Sequence, residues 1–157
     1  MVGYVCMSKH TDPTETTDEQ TREANKNAVV KSFEVMASHD FDALDDLIDE
    51  DLTFSDPLME IDGLDDYKDL MRGRFSALPD TDSTLHTMVA EDDVVVVHFS
   101  YRGTHKGEFQ GIEPTGNTVE GTAVMIDRFE GGKIVERTEE FDTLSWFQQL
   151  EVDPSAI

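Results

Sequence analysis

Hydrophobic positions change their period once along the chain, and the change separates a helical front from a stranded back. From residue 17 to about 38, Ala28 or Val29, Phe33, Met36 and Ala37 recur at helical spacing and form one apolar stripe. Thr17 with Gln20 makes a capping box that sets the predicted start, and His39-Asp40 ends the helix. A short second helix follows, with Leu44, Leu47 and Ile48 inward and Asp42 as its cap. Leu52 to Phe54 reads as a brief strand ended by Asp56-Pro57. After Gly63 a third helix places Leu64, Tyr67, Leu70, Met71, Phe75 and Leu78 on its buried stripe, until Pro79-Asp80 stops it.

Beyond that point the period is two. Strands are predicted at about 83–90, 94–105, 118–130 and 133–141, with Glu91-Asp92-Asp93 and Gly131-Gly132 as tight turns. A closing helix starts near Asp142 and carries Leu144, Phe147 and Leu150. Helices first and a long antiparallel meander afterwards is an α+β pattern. The strands are apolar on both parities: Val95, Val97 and Phe99 oppose Val94 and Val96, and Val124 and Ile126 oppose Ala123 and Met125. A sheet covered by helices on one face only alternates more cleanly. Either a partner subunit covers the second face or the strands curl on themselves; a homo-oligomer, a dimer first, is the expectation. One stretch, GTHKGEFQGIEPTGNTV at 103–119, interrupts two good strands with four glycines and a Pro-Thr-Gly turn.

Size and charge narrow the picture. A chain of 157 residues is most simply one domain, and one of this size buries about 68–70% of its unfolded surface without staples. The expected division is a flexible tail over 1–16, a domain over 17–151 and a short tail over 152–157, with Met7 as the alternative start. There is no apolar run that could cross a bilayer and no signal-peptide core near the start. Cys6 is the single cysteine and cannot form an internal disulfide, which suits a reducing cytoplasm. A net charge of −23 disfavours nucleic acid and anionic membranes as partners. The acids are spread along the whole chain, which reads as a folded body in an acidic coat. Such a coat repels itself and is best tolerated where salt screens it, so a cytoplasmic protein of a high-salt cell is expected.

Several short motifs, taken together, resemble the SnoaL-like polyketide cyclase family of the nuclear-transport-factor-2-like superfamily. They are Gly103-Thr104-His105, Gly107-Glu108-Phe109, Gly111-Ile112 with Pro114-Thr115-Gly116, Arg128-Phe129, Gly132-Lys133-Ile134-Val135-Glu136 and Asp142-Thr143-Leu144. The front half agrees more loosely, through residues 42–45 and Asp51, and the resemblance runs from about 21 to 151. It implies a cone-shaped α+β barrel, in which a curved antiparallel sheet wraps the long N-terminal helix and encloses a pocket. The glycine-punctuated stretch would then form a lip at the open end, where Gly107, Gly111 and Gly116 permit unusual backbone geometry and Pro114 stiffens the turn.

The resemblance also implies chemistry: ring closure by aldol condensation, without metal or organic cofactor, through an acid on the last strand. That position is Glu139. A carboxylate can take a proton beside a carbonyl and return it to a developing alkoxide, provided a dry pocket raises its pKa from about 4.3. Strand parity puts Glu139 inward with Val135 and Phe141, and Arg137 shares that face. An internal ion pair, or one more acid of the coat, is the competing reading for Glu139. Candidate substrate-binding residues are Phe54, Phe99, Tyr101, His105, Ala123, Met125, Asp127 and Arg137. Ala123, Met125 and Phe54 stand where the cyclases have polar residues, which removes hydrogen-bond donors and leaves an apolar cup suited to a small hydrophobic ligand. A non-catalytic binding protein of the same fold is the alternative. His105 is expected to hold the lip, and His98 to lie on the outer sheet face. His10, His39 and His86 show no ligand spacing, so no metal site is expected. The glycines match neither a P-loop nor a dinucleotide fingerprint, and Ser100 and Ser145 lack a nucleophile elbow.

Overall fold

The computed structural model describes residues 13–156, with side chains over 17–155, so most of the tail expected at 1–16 lies outside the described residues. Helix α1 spans Pro13–Ala37, one turn earlier than the capping box predicts. Proline suits a first helical position, because its missing N–H is one that no helix satisfies there. Thr17 therefore lies inside the helix, where its carbonyl accepts the Thr21 hydroxyl at 3.0 Å. The expected second helix is a 3-10 turn over Phe41–Asp46, with Asp40 at its N-cap position. Asp42 is no cap; its carboxylate accepts from Arg72. Strand β1 runs Ile48–Asp56 and is joined through an Asp56-capped turn to β2, Met59–Asp62. Only the middle of β1 is readable from sequence, because Asp49, Glu50 and Asp51 are poor strand formers.

Helix α2, Leu64–Ala77, precedes the meander β3 (Asp82–Glu91), β4 (Val94–Thr104), β5 (Thr118–Glu130) and β6 (Lys133–Phe141), and α3 covers Thr143–Leu150. The side chain of Asp142 caps α3 by accepting from the Ser145 amide at 2.9 Å. The sheet is curved and unclosed, in the order β2-β1-β6-β5-β4-β3, with β1 parallel to β6 and every other pair antiparallel. Helix α1 packs on β3 and β4, α2 on β1 and β2, and α3 on β5. Val29, Met36, Leu52, Met71, Val95 and Val97 are buried in the main core between sheet and helices. No described helix is long and apolar enough to cross a membrane.

The two parities of the strands have different fates. Val95, Val97, Phe99, Ala123 and Met125 are buried on the concave side, whereas Val89 is 58% and Ile126 39% exposed on the other. His98 lies on that outer face, its ring 5.4 Å from that of His86. His86 is the extra residue of a β3 bulge, which turns it to the same side as Thr87.

The stretch between β4 and β5 folds over the end of α2. Lys106 and Gly107 both donate to the Ala77 carbonyl, at 2.8 and 3.1 Å. Phe109 and Ile112 bridge each other and bury against Trp146, Phe147 and Leu150. The glycines are needed for two different reasons. Gly111 and Gly116 adopt positive φ, +82° and +74°, as the resemblance implies. Gly107 does not; a Cβ there would stand 2.7 Å from the Ser76 carbonyl oxygen and 3.0 Å from Ala77 Cα. Both neighbours are backbone and cannot swing aside. Gly107→Ala is therefore expected to cost about 1–3 kcal/mol, measured by urea denaturation. A loss below about 0.5 kcal/mol would mean that the lip does not rest on α2 as described.

All but four of the carboxylates with described side chains are exposed, the exceptions being Asp49, Asp56, Asp127 and Glu139. Exposed like charges repel over a screening length of about 10 Å at 0.1 M salt and about 3 Å at 1 M. The melting temperature is expected to rise as potassium chloride increases from about 0.1 M to about 1 M. A melting temperature that is flat or falls over that range would remove coat repulsion as a significant term.

Candidate active site

The concave face of the sheet, α1, α2 and the lip enclose a cavity of about 370 Å³. That lies at the small end of the range of roughly 300–1,000 Å³ usual for small-molecule sites. Phe33 and Met36 of α1, Met71 and Phe75 of α2, Phe109 of the lip and Trp146 of α3 make most of it apolar. Its polar end is built where α2 meets β6. Glu139 projects inward from β6 beside Met125, its cross-strand neighbour on β5. Arg74 of α2 donates to the Glu139 carboxylate at 3.1 Å through Nη1, and through Nη2 to Asp56 Oδ2 at the end of β1. The Asp56 side chain is fully buried, while those of Arg74 and Glu139 are 18% and 14% exposed, respectively. Asp56 is fixed in turn, because its Oδ1 accepts the amides of Leu58 and Met59 at 2.7 and 2.9 Å. Burial works against the charge of Arg74, and the carboxylates of Glu139 and Asp56 outweigh it, so its pKa is raised. One guanidinium thus bridges two carboxylates, with the Phe54 ring 5.7 Å beneath it.

Tyr101 lines the same end from β4. Its ring leans across Gly121, where a Cβ would meet the hydroxyl at 3.0 Å. Burial first, then the charges of Glu139 and Asp142, push the phenol up to about 12. It therefore stays a hydrogen-bond donor throughout the neutral range, and its hydroxyl has no hydrogen-bond partner among the described residues.

The residues singled out from sequence separate into two groups. Phe99, Tyr101, Met125 and Glu139 line the cavity together. The others lie off its lining. Phe54 is buried against the Tyr67 ring, with centroids 5.1 Å apart, and Ala123 is 2% exposed in the main core. Asp127 and Arg137 are directly opposed on β5 and β6 and form a bidentate pair, both contacts at 2.7 Å. Arg137 also donates to the Tyr67 hydroxyl and to Ser32 Oγ, each at 3.1 Å. So the cation on the Glu139 face belongs to Asp127, and Asp127 is committed to it. His105 is buried in the lip, where its Nδ1 accepts the Thr115 amide at 3.2 Å and its Nε2 has no partner among the described residues. Burial lowers its pKa.

Arg74 and Asp56 escaped the sequence reading, although a signal for Arg74 existed. Tyr67, Met71, Arg74 and Leu78 follow one another at helical spacing, so this arginine interrupts the apolar stripe of α2. A cation at a buried position needs an acid. Among the described residues, no group of three or more metal-ligating side chains converges.

Comparison with known proteins agrees with this architecture. No curated protein matches the chain. Among solved structures, AclR of Streptomyces galilaeus, described as a candidate hydroxylase, is 26% identical, with TM-score 0.73 over 85% of this chain and 84% of its own. IdmH of Streptomyces antibioticus, described as a candidate polyketide cyclase, is also 26% identical, with TM-score 0.70 over 82% of this chain and 99% of its own. An LEH-like epoxide hydrolase of M. tuberculosis shares the fold alone, at 17% identity and TM-score 0.68, over 83% of this chain and 91% of its own. The model of the SnoaL-like polyketide cyclase family matches residues 12–150, nearly the whole described region, and the chain belongs to that family.

Proposed function

We propose that this protein is a cofactor-independent enzyme that moves a proton on a small hydrophobic carbonyl compound. The observation that carries the reading is the Glu139 carboxylate at the polar end of an apolar cavity; its contact with Arg74, the internal ion pair of the competing reading, fixes its position there. Glu139 takes a proton from the carbon beside the carbonyl, so that a C–H bond breaks, an O–H bond forms on the carboxyl, and the electron pair moves to the carbonyl oxygen. That oxygen needs a donor, and the unpartnered Tyr101 hydroxyl supplies one. The protonated Glu139 then returns its proton to carbon, for isomerisation, or to an alkoxide formed by carbon–carbon bond closure. Asp56 acts through Arg74 as a positioning residue. Cyclase and isomerase outcomes share this first step, whereas a hydrolase outcome would set the same carboxylate to take a proton from water.

A second reading, a carrier that binds without reacting, draws on the apolar Met125 beside Glu139, which offers no donor to a developing oxyanion. One experiment separates the two without knowledge of the natural substrate. Hydrophobic ketones in heavy water are followed by NMR for exchange of the protons beside the carbonyl. Exchange catalysed by the wild type and lost in Glu139→Gln is the expected result; binding without exchange selects the carrier.

The same proposal includes a homodimer, in a salt-rich cytoplasm, whose second copy covers the apolar row around Val89 and Ile126. Sedimentation equilibrium that finds a monomer at about 10 µM would remove the dimer.

A further inference from the structure

The charge around the cavity is one-sided in a way its apolar lining conceals. Arg74 is the only cation that lines it among the described residues, and both of its ion-pair contacts already go to carboxylates. At the mouth stand Glu34 and Asp82, both exposed. Glu34 is paired with Lys31 at 3.1 Å, while Asp82 has no ion-pair partner among the described residues. Four carboxylates, Glu34, Asp56, Asp82 and Glu139, thus face two cations, Lys31 and Arg74. An entering anion would meet a guanidinium already neutralised by two carboxylates, with neutral donors such as the Tyr101 hydroxyl but no unpaired cation lining the cavity among the described residues. Carrying a charge out of water into such a site is costly.

We propose that the cavity admits uncharged or cationic ligands and rejects anionic ones, so that the substrate enters as a ketone, aldehyde or ester and not as a free acid or a phosphate-bearing conjugate. This inference rests on the proton-transfer reading of the same site and deepens it by naming the head-group class. The discriminating charges differ in burial. Asp56, Arg74 and Glu139 are largely shielded from salt, whereas the mouth and the coat are not.

The test uses one scaffold with three head groups: phenylacetone, phenylacetate and 2-phenylethylamine. Dissociation constants are measured by ligand-observed NMR with the full-length protein, at about 0.15 M and about 2 M potassium chloride. The ketone and the amine are expected to bind, with phenylacetate at least about tenfold weaker than the ketone at both salt concentrations. Glu139→Gln removes one of the two negative charges that neutralise Arg74 and is expected to bring phenylacetate within about twofold of the ketone, while ketone affinity changes less than about threefold. Phenylacetate binding as tightly as the ketone in the wild type overturns the inference and leaves the pocket reading intact. A deficit that vanishes at about 2 M salt also overturns it, because the acidic coat would then account for the discrimination. If none of the three binds, the inference and the pocket reading fall together.

Discussion

Glu139→Gln is expected to lower kcat by about 10²–10⁴-fold, the usual contribution of a positioned acid/base, with little change in KM. Glutamine preserves the shape of the side chain, and its amide oxygen can still accept from Arg74. Asp56 continues to hold the guanidinium from its other side. The cavity and the donor set for the carbonyl oxygen therefore survive, and only the capacity to take a proton is lost. An interaction made only in the transition state reduces kcat and kcat/KM together, whereas a purely structural residue would also disturb ligand affinity and the melting temperature. The measurement is thus threefold: turnover or α-proton exchange, the dissociation constant of a ketone, and thermal melting. Turnover retained within about threefold would show that the proton goes elsewhere, and the family's position on the last strand would then be structural in this member.

How far the site could be foreseen depends on which residues faced each other across long stretches of chain. The four later strands are legible because runs of β-formers such as Val94 to Val97 stand between turn residues, and Gly131-Gly132 fixes the last hairpin. The inward direction of Glu139 follows from the same parity. Its partner was hidden, because Arg74 lies 65 residues away on a helix whose stripe is otherwise apolar. The pairing of Asp127 with Arg137 was hidden for a different reason. Counting back from Glu130 opposite Lys133 would set Asp127 against Glu136, but a bulge between Arg128 and Phe129 shifts the register by one. A shift of one residue exchanges the two faces of a strand. Here the extra residue is Val135 of β6, so Arg137 rather than Glu136 meets Asp127. Asp127 faces inward with Ala123, Met125 and Phe129 of β5, and Arg128 meets Glu136 outside, at 3.0 Å. No feature of the local sequence announces that bulge. The short reading of β1 failed on composition: acids that face solvent or turns lower its strand propensity, while parallel pairing with β6 holds it in the sheet.

The same bulge sets up the largest expected effect on stability. The side chains of Arg137 and Asp127 are 0% and 1% exposed, so neither charge has water to fall back on. Burial alone would depress the arginine, and the Asp127 carboxylate with the Tyr67 hydroxyl overcomes it, leaving the pKa of Arg137 raised. Its donors reach Asp127 twice, Tyr67 and Ser32, and the Ser32 hydroxyl passes the chain on to the Val29 carbonyl at 2.8 Å. Removing one member of such a pair leaves the other charged and unsolvated, at a cost of about 3–5 kcal/mol. Asp127→Ala is therefore expected to lower the melting temperature by roughly 6–20 °C in a chain of this size. Replacing both partners, as Asp127→Leu with Arg137→Met, removes the buried charge altogether and is expected to recover most of that loss, because an apolar pair needs no compensation. The double substitution also separates stability from shape. Tyr67 lines the cavity and stands 5.1 Å from the Phe54 ring beneath Arg74, so an apolar replacement that restores the melting temperature but not ketone binding would assign the network to holding the floor of the site. If Asp127→Ala costs less than about 1 kcal/mol in urea denaturation, the pair is not desolvated in solution, and the register that places it in the core is wrong.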